Sequence, residues 1–405
     1  MNIGMILDNE FTGDMRVENE VISLTVAGHN VFVLCLNYGA KEPVENFHGA
    51  TIIRLKLSLF LKNKMKGLDT TFIIPYTRYW AKQIILFLKK HRIEVIHIHD
   101  LYLLGAAFKA NEQITDKLPI VADLHENYPE ALKHYKHTQT FPGKYVVSIP
   151  KWEKLEIKWL YKADYIITVI EEAKERYRKL GINAEKITVV ANYVNLEKFL
   201  APVINREISE KFMVDFIVLY MGGFDLHRGL EAVIRALPLV EKEIPHIKLV
   251  LVGSGKNITD LKALAEKLRV SHLVSYEGWQ PPESLPSYIK ASDVCVIPHL
   301  KTEHTDNTIP HKLFQYMLFE KPVLSSNCNP IVRILNTSGS GIIYSSNDER
   351  ELAHQLIRLK KSPDLMHRLG KNGKRVVLEK YNWKETAKNL IQLYEKISQN
   401  HSRPA

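Results

Sequence analysis

Between Asp306 and Leu324 the chain reads DNTIPHKLFQYMLFEKPVL, and Lys312 stands where that segment turns from polar to apolar. Pro310 fixes its own φ and sets His311 and Lys312 near a helix start, where backbone N–H groups and the helix dipole favour an anion. Leu313, Tyr316 and Met317 fall on one i, i+3, i+4 face, which leaves Asn307, Lys312 and Gln315 to project elsewhere, as into a cleft. A second segment with the same chemistry is Gly222-Gly223-Phe224-Asp225-Leu226-His227-Arg228-Gly229. Its glycines let the backbone approach a phosphate closely, the helix starting near Leu230 supplies oriented N–H groups, and Arg228 can pair with diphosphate oxygens. The plain alternative is a glycine-rich turn carrying a surface arginine. No G-x-G-x-x-G occurs there, and Gly253-Ser254-Gly255 is too short to replace it, which speaks against a nicotinamide dehydrogenase.

These segments need strands and helices to hold them. Short apolar runs at 3–7, 31–36, 51–55, 95–99, 120–124 and 165–169 alternate with amphipathic stretches, the βαβ rhythm of a parallel sheet covered on both faces. Residues 202–211 read as a polar linker. A second series of strands follows at 216–220, 248–252, 273–276, 293–297, 322–325 and 341–344. The expectation is an α/β chain of two tandem doubly wound, Rossmann-like domains, 1–200 and 201–380. Ligands of such domains bind beyond the carboxyl ends of strands, so the two are expected to face one another across a cleft. The amphipathic segment 381–405 has no strand after it and is expected to return to the first domain.

The 405 residues, 45% hydrophobic and 25% charged, describe an ordinary globular protein with two cores. No run of eighteen apolar residues occurs, and MNIGMILDN begins directly as a strand, so the expected location is the cytoplasm. Cys35, Cys295 and Cys328 lie far apart, each in or beside an apolar run, and read as reduced core residues. Net charge is +10, and residues 54–92 hold ten Lys or Arg against the single acid Asp69, interleaved with Leu59, Phe60, Leu61, Phe72, Ile73, Tyr76, Tyr79 and Trp80. That mixture suits peripheral contact with the inner face of an anionic membrane, or else a solvated helical hairpin with aromatics in the core. No nucleic-acid recognition module is visible.

His97 and His99 share one face of a strand, and with Asp100, Asp123 and His125 they imitate the ligand cluster of a metal hydrolase.

Taken together, MGGFDLHRGLE, LVLVGSG, VSYEGWQPPESLPSYIKASDVCVIP and PHKLFQYMLFEKPVL, with DMRVENEVISLTVAGHNVFVL, VIHIHDLYLLG and ADYIITVIEEAKERY, resemble glycosyltransferase family 4 over nearly the whole length. These are retaining enzymes of GT-B architecture that use nucleotide-activated sugars. The resemblance implies a first domain on the acceptor side and a second that binds the donor. Gly222, Gly223, Arg228, Gly253, Gly255, Trp279, Asn307, Lys312, Leu313 and Gln315 then become donor-binding candidates. Arg228 and Lys312 would stabilise the departing diphosphate. His125 matches the family's cleft histidine, placed to hydrogen-bond a sugar hydroxyl or help deprotonate an acceptor. Asp14, Arg16 and His99 would line the acceptor or phosphate loop, although Arg16 also reads as a helix-start partner of Glu20. Trp279 stands where nucleobase contacts are expected, either stacking or packing.

Two departures stand out. Family members commonly carry arginine where this chain has Gly223. Their paired glutamates, eight residues apart, fall on Asn307 and Gln315, which can hydrogen-bond a hydroxyl but bear no charge.

No Asp-x-Asp occurs, and similar His-x-His strand endings in the family hold no metal, so no metal and no cofactor beyond the sugar-nucleotide substrate are expected. The expected reaction moves a sugar from a nucleotide donor to a glycan or lipid-linked acceptor of a bacterial surface polysaccharide. A sugar-nucleotide epimerase or hydrolase, or a non-catalytic nucleotide-sugar-binding subunit, are the rivals.

Overall fold

A computed structural model describes residues 1–39, 41–69, 74–134, 138, 147–199, 202–212 and 216–401. Phe72 and Ile73 of the basic window lie outside the described residues, as does the 200/201 junction. The chain divides into two compact units, Met1–Asn192 with Lys384–Ala405, and Tyr193–Trp383.

The first unit is built on an eight-stranded sheet: β1 Asn2–Ile6, β2 Asn30–Asn37, β3 Val44–Phe47, β4 Ala50–Lys56, β5 Val95–His99, β6 Ile120–Leu124, β7 Tyr165–Thr168 and β8 Ile187–Val189. Their order is β3-β4-β2-β1-β5-β6-β7-β8. All pairings are parallel except β3 with β4. The sequence reading missed β3 and β8. VENF lies largely exposed without alternating burial, and β8 is only three residues long, so neither carries a periodic signal. Every residue of β5 and β6 is buried, as expected for central parallel strands with helices on both faces.

The second unit carries six parallel strands: β9 Phe216–Met221, β10 Ile247–Val252, β11 Val274–Gly278, β12 Val294–Ile297, β13 Val323–Ser326 and β14 Gly341–Tyr344. Their order is β11-β10-β9-β12-β13-β14. Both expected doubly wound halves are therefore present. The order reverses between β1 and β5 in one unit and between β9 and β12 in the other, and ligands of such sheets collect outside the carboxyl ends of strands at those reversals.

Residues 202–211 are not simply a linker. Arg206–Lys211 forms a short helix, and Asn205 N donates to Ser287 Oγ at 2.9 Å, which ties the segment to the second unit. The last helix, Trp383–His401, lies on the first unit, where Asn389 Nδ2 donates to Val189 O at 2.9 Å.

Residues 54–92 split by role. Tyr76 and Trp80 are core, Arg54 is buried against Glu45, and Lys62 and Lys66 turn inward to Asp8. Leu59, Phe60 and Leu61 stay exposed on the helix Leu59–Leu68, Phe60 at 78%. Among the described residues, no helix is long and apolar enough to cross a membrane.

Candidate active site

In the second unit, β9 ends at Met221, and the chain enters the Gly222 turn at φ 130°. Gly222 N donates to Val252 O and Phe224 N to Ser254 O, so this turn lies directly against the one after β10. Gly253 and Gly255 make that approach possible: a Cβ on Gly253 would collide with Gly222 O, and one on Gly255 would come within 2.5 Å of Phe224 N. Their glycine character thus serves loop-on-loop packing. Gly222 has another reason, since a Cβ there would fall 2.7 Å from Lys312 Nζ.

Lys312 opens the helix Lys312–Leu318. Its stem is partly exposed, but Nζ is sealed from solvent without a hydrogen-bond partner, 3.9 Å from the centroid of the Tyr220 ring. Burial, and then the charge of Arg228, push its pKa well below the ordinary lysine value. Arg228 ends the 3-10 turn Leu226–Arg228, held by Gly229 at φ 65°, and its Nη1 lies 3.1 Å from His299 Nε2. Among the described residues neither cation pairs with a carboxylate. A cation–π contact contributes about 2 kcal/mol when desolvated, less than the several kcal/mol that burying an ion costs. The balance favours an incoming anion.

The other donor candidates fare differently. Leu313 is fully buried, so its side chain is core. Two of the helix-start N–H groups are taken, Leu313 N by Pro310 O and Phe314 N by His311 O. Gln315 is buried within the same helix, and Asn307 Nδ2 donates to Glu303 O at 2.7 Å. Trp279, 70% exposed after β11, does not pack into the core, and Gly223 O accepts from Tyr220 Oη.

In the first unit, the ends of β5 and β6 bring His97, His99, Asp123 and His125 together, with His99 opposite Asp123 in register. Asp123 Oδ2 lies 3.4 Å from a ring nitrogen of each of the three histidines. Arg16 reaches in from the helix Met15–Val26, its Nη2 2.9 Å from Asp123 and 3.0 Å from Glu20 and its Nη1 on Val190 O. Arg16 is buried in this ion-pair cluster, so the Glu20 pairing is the arrangement adopted, and its guanidinium is not presented to a phosphate. Asp14 caps the same helix by accepting from Val17 N, a structural task. His99 is fully buried.

Electrostatics sort the cluster. Burial opposes charge on Asp123, but Arg16 and His125 outweigh it and hold the carboxyl well below its usual range. Glu20 is pushed well above, by burial and by Asp123. His99 falls to about 4 through burial and His97. For His125 burial again opposes, but Asp100 and Asp123 prevail, raising it to about 9. The shift favours the protonated ring, and with it the hydrogen-bonding role over the role of base. Donor atoms of Glu20, His97, His99 and Asp123 all lie within 4.8 Å of one another, a set a metal could use, yet Arg16 already supplies the cation to both carboxylates.

Sequence reasoning missed His299 and Tyr220, although both belong to strand ends at the sheet reversal, the position that marks ligand sites.

The family model for Glycosyltransferase Family 4 matches residues 16–198, and that for Glycosyl transferases group 1 matches 204–376. The chain is a family 4 glycosyltransferase. An uncharacterized glycosyltransferase of Methanocaldococcus jannaschii is 22% identical over 89% of this chain and 83% of its own. Alpha-monoglucosyldiacylglycerol synthase of Streptococcus pneumoniae is 24% identical over 72% of this chain and 65% of its own. Among solved structures, sucrose-phosphate synthase of Thermosynechococcus elongatus superimposes with a TM-score of 0.80 at 19% identity, covering 99% of this glycosyltransferase and 100% of that chain. Anabaena HepE in complex with UDP and glucose gives 0.73 at 14% identity over 98% and 99%.

Proposed function

We propose that this glycosyltransferase takes its sugar from a nucleotide-diphosphate donor held by the second unit and delivers it, with retention of configuration and without a metal, to a glycan or lipid-linked acceptor. The observation that carries the reading is the sealed, unpartnered Nζ of Lys312 beside Arg228 and next to Gly222, an amine whose charged form an anion would restore. A diphosphate would supply the missing counter-charge, and as it leaves it would take up negative charge that both cations stabilise. Retaining transfer on one face lets a departing phosphate oxygen accept the acceptor's proton, so no protein base is needed. His125, as an imidazolium, acts as a charged hydrogen-bond donor. Two cations replace the divalent ion that a diphosphate otherwise needs.

Support for the donor class comes from HepE, described with UDP and glucose, and for a lipid acceptor from the synthase whose name is that of a glycolipid. Exposed Leu59, Phe60 and Leu61 beside Lys56 and Lys64 supply the apolar and cationic surface that peripheral contact with an anionic membrane requires, consistent with a cytoplasmic-face enzyme of surface polysaccharide synthesis. The test is thermal stabilisation by a panel of nucleotide sugars, then turnover of the best donor with and without added membranes. Retention is read from the anomeric configuration of the product, and metal independence from turnover in excess chelator. Rapid donor consumption without acceptor would instead favour the epimerase or hydrolase. Asn307 and Gln315 in place of carboxylates favour a second reading, a non-catalytic binding subunit, which predicts nucleotide binding without turnover on any acceptor.

A further inference from the structure

His299 follows β12 and Pro298 and is 3% exposed. Its backbone carbonyl is fixed by Ser326 Oγ at 2.5 Å. Its Nε2 faces Arg228 Nη1 at 3.1 Å. A guanidinium has only protons to offer, so Arg228 donates and the imidazole must present a lone pair, leaving its own hydrogen on Nδ1. Burial, and after it the charges of Arg228, Lys312, His227 and His304, keep His299 well below its usual pKa. An arginine held in place inside a fold is ordinarily steadied by an acid, as buried Arg16 is by Asp123, and Arg228 is half-buried with its Nε sealed from solvent. Here the steadying group is neutral.

We propose that His299 is a positioning residue for the donor diphosphate: it orients the Arg228 guanidinium through an uncharged acceptor, so the full positive charge stays available to the anion. A carboxylate would hold the same geometry while cancelling that charge; an apolar residue would leave the charge but lose the geometry. The inference rests on the nucleotide-donor reading above.

Gln and Glu at this position have the same shape and differ only in charge, which gives the test. Affinities of UDP and of inorganic pyrophosphate are measured by calorimetry for the full chain and for H299Q, H299E, H299A, R228A and R228A/H299A, with melting curves checking that each folds. The expectation is that H299Q stays within about threefold of wild type, H299A loses about tenfold and H299E about a hundredfold, while H299A costs nothing further in the R228A background. In turnover, H299Q should restore most of the kcat/KM that H299A loses. Equal affinities for H299Q and H299E, or independent losses in the double variant, overturn the proposal even if wild type binds UDP well. If wild type binds neither UDP nor pyrophosphate, the donor reading falls first and this inference with it.

Discussion

Lys312 occupies the space that a side chain on Gly222 would need: a Cβ there would lie 2.7 Å from Nζ, on a residue whose φ of 130° already disfavours any side chain. The glycine after β9 and the lysine opening the helix Lys312–Leu318 therefore act as one device. The first makes room, and the second fills it with charge that nothing among the described residues neutralises.

Such a charge should be costly until an anion arrives. Lys312→Met is expected to raise the melting temperature of the ligand-free protein by about 2–4 °C, the equivalent of about 1 kcal/mol. The same variant should lose roughly a hundredfold or more in kcat/KM. Paired melting curves and kinetics check both, and a less stable variant would contradict the electrostatic account.

Gly229 holds Arg228 in place through a left-handed turn packed under Pro298 O, where a Cβ would collide. Gly229→Ala should cost about 1–3 kcal/mol of stability and lower donor affinity together. Chemical denaturation alongside nucleotide titration separates this from Leu313→Ala, which opens a cavity in the core and should reduce stability by about 2–5 kcal/mol.

The His125 cluster predicts two pH dependences. Its folded pKa of about 9 lies above the unfolded value near 6.5, so its stabilisation is complete below pH 6.5 and is lost as pH rises through about 9. His99, lowered to about 4, works the other way and costs stability as pH falls from 6.5 towards 4. The stability gap between wild type and His125→Gln should narrow from pH 6.5 to 9. Activity that depends on His125 should decline over the upper part of that window rather than rise through 6.5, as a general base would require. Denaturation and rate profiles measured in the same buffers check both.

Phe60→Glu places a charge in the exposed Leu59-Phe60-Leu61 run without touching the core. Binding to vesicles containing anionic lipid should weaken about tenfold or more, while turnover of a water-soluble acceptor analogue should not change. Cosedimentation reads the first and a donor-release assay the second.

Much of this was legible in the chain itself. All six strands of the second unit, and six of the eight in the first, announce themselves as short apolar runs between amphipathic stretches, because parallel strands are buried on both faces. Residue type made Arg228, Lys312 and Gly222 candidates, Gly222 and Arg228 by their place after a strand and Lys312 by its place at a helix start. Pairing could not. That Arg16 is absorbed by Asp123 and Glu20, that Arg228 rests on a histidine, and that Gly253 and Gly255 serve the neighbouring loop depend on which strand ends are adjacent. That adjacency is set by strand order, which periodicity does not encode. Trp279 shows the reverse limit, since an aromatic at a strand end need not enter a core.

The most direct measurement is the affinity of UDP relative to uridine for wild type and for the Arg228→Ala/Lys312→Met double variant. Two cations without a carboxylate partner among the described residues, closing on a diphosphate, predict that wild type prefers UDP by about a hundredfold or more, and that the double variant binds the two nearly alike. A preference for UDP that survives the loss of both cations would contradict the account.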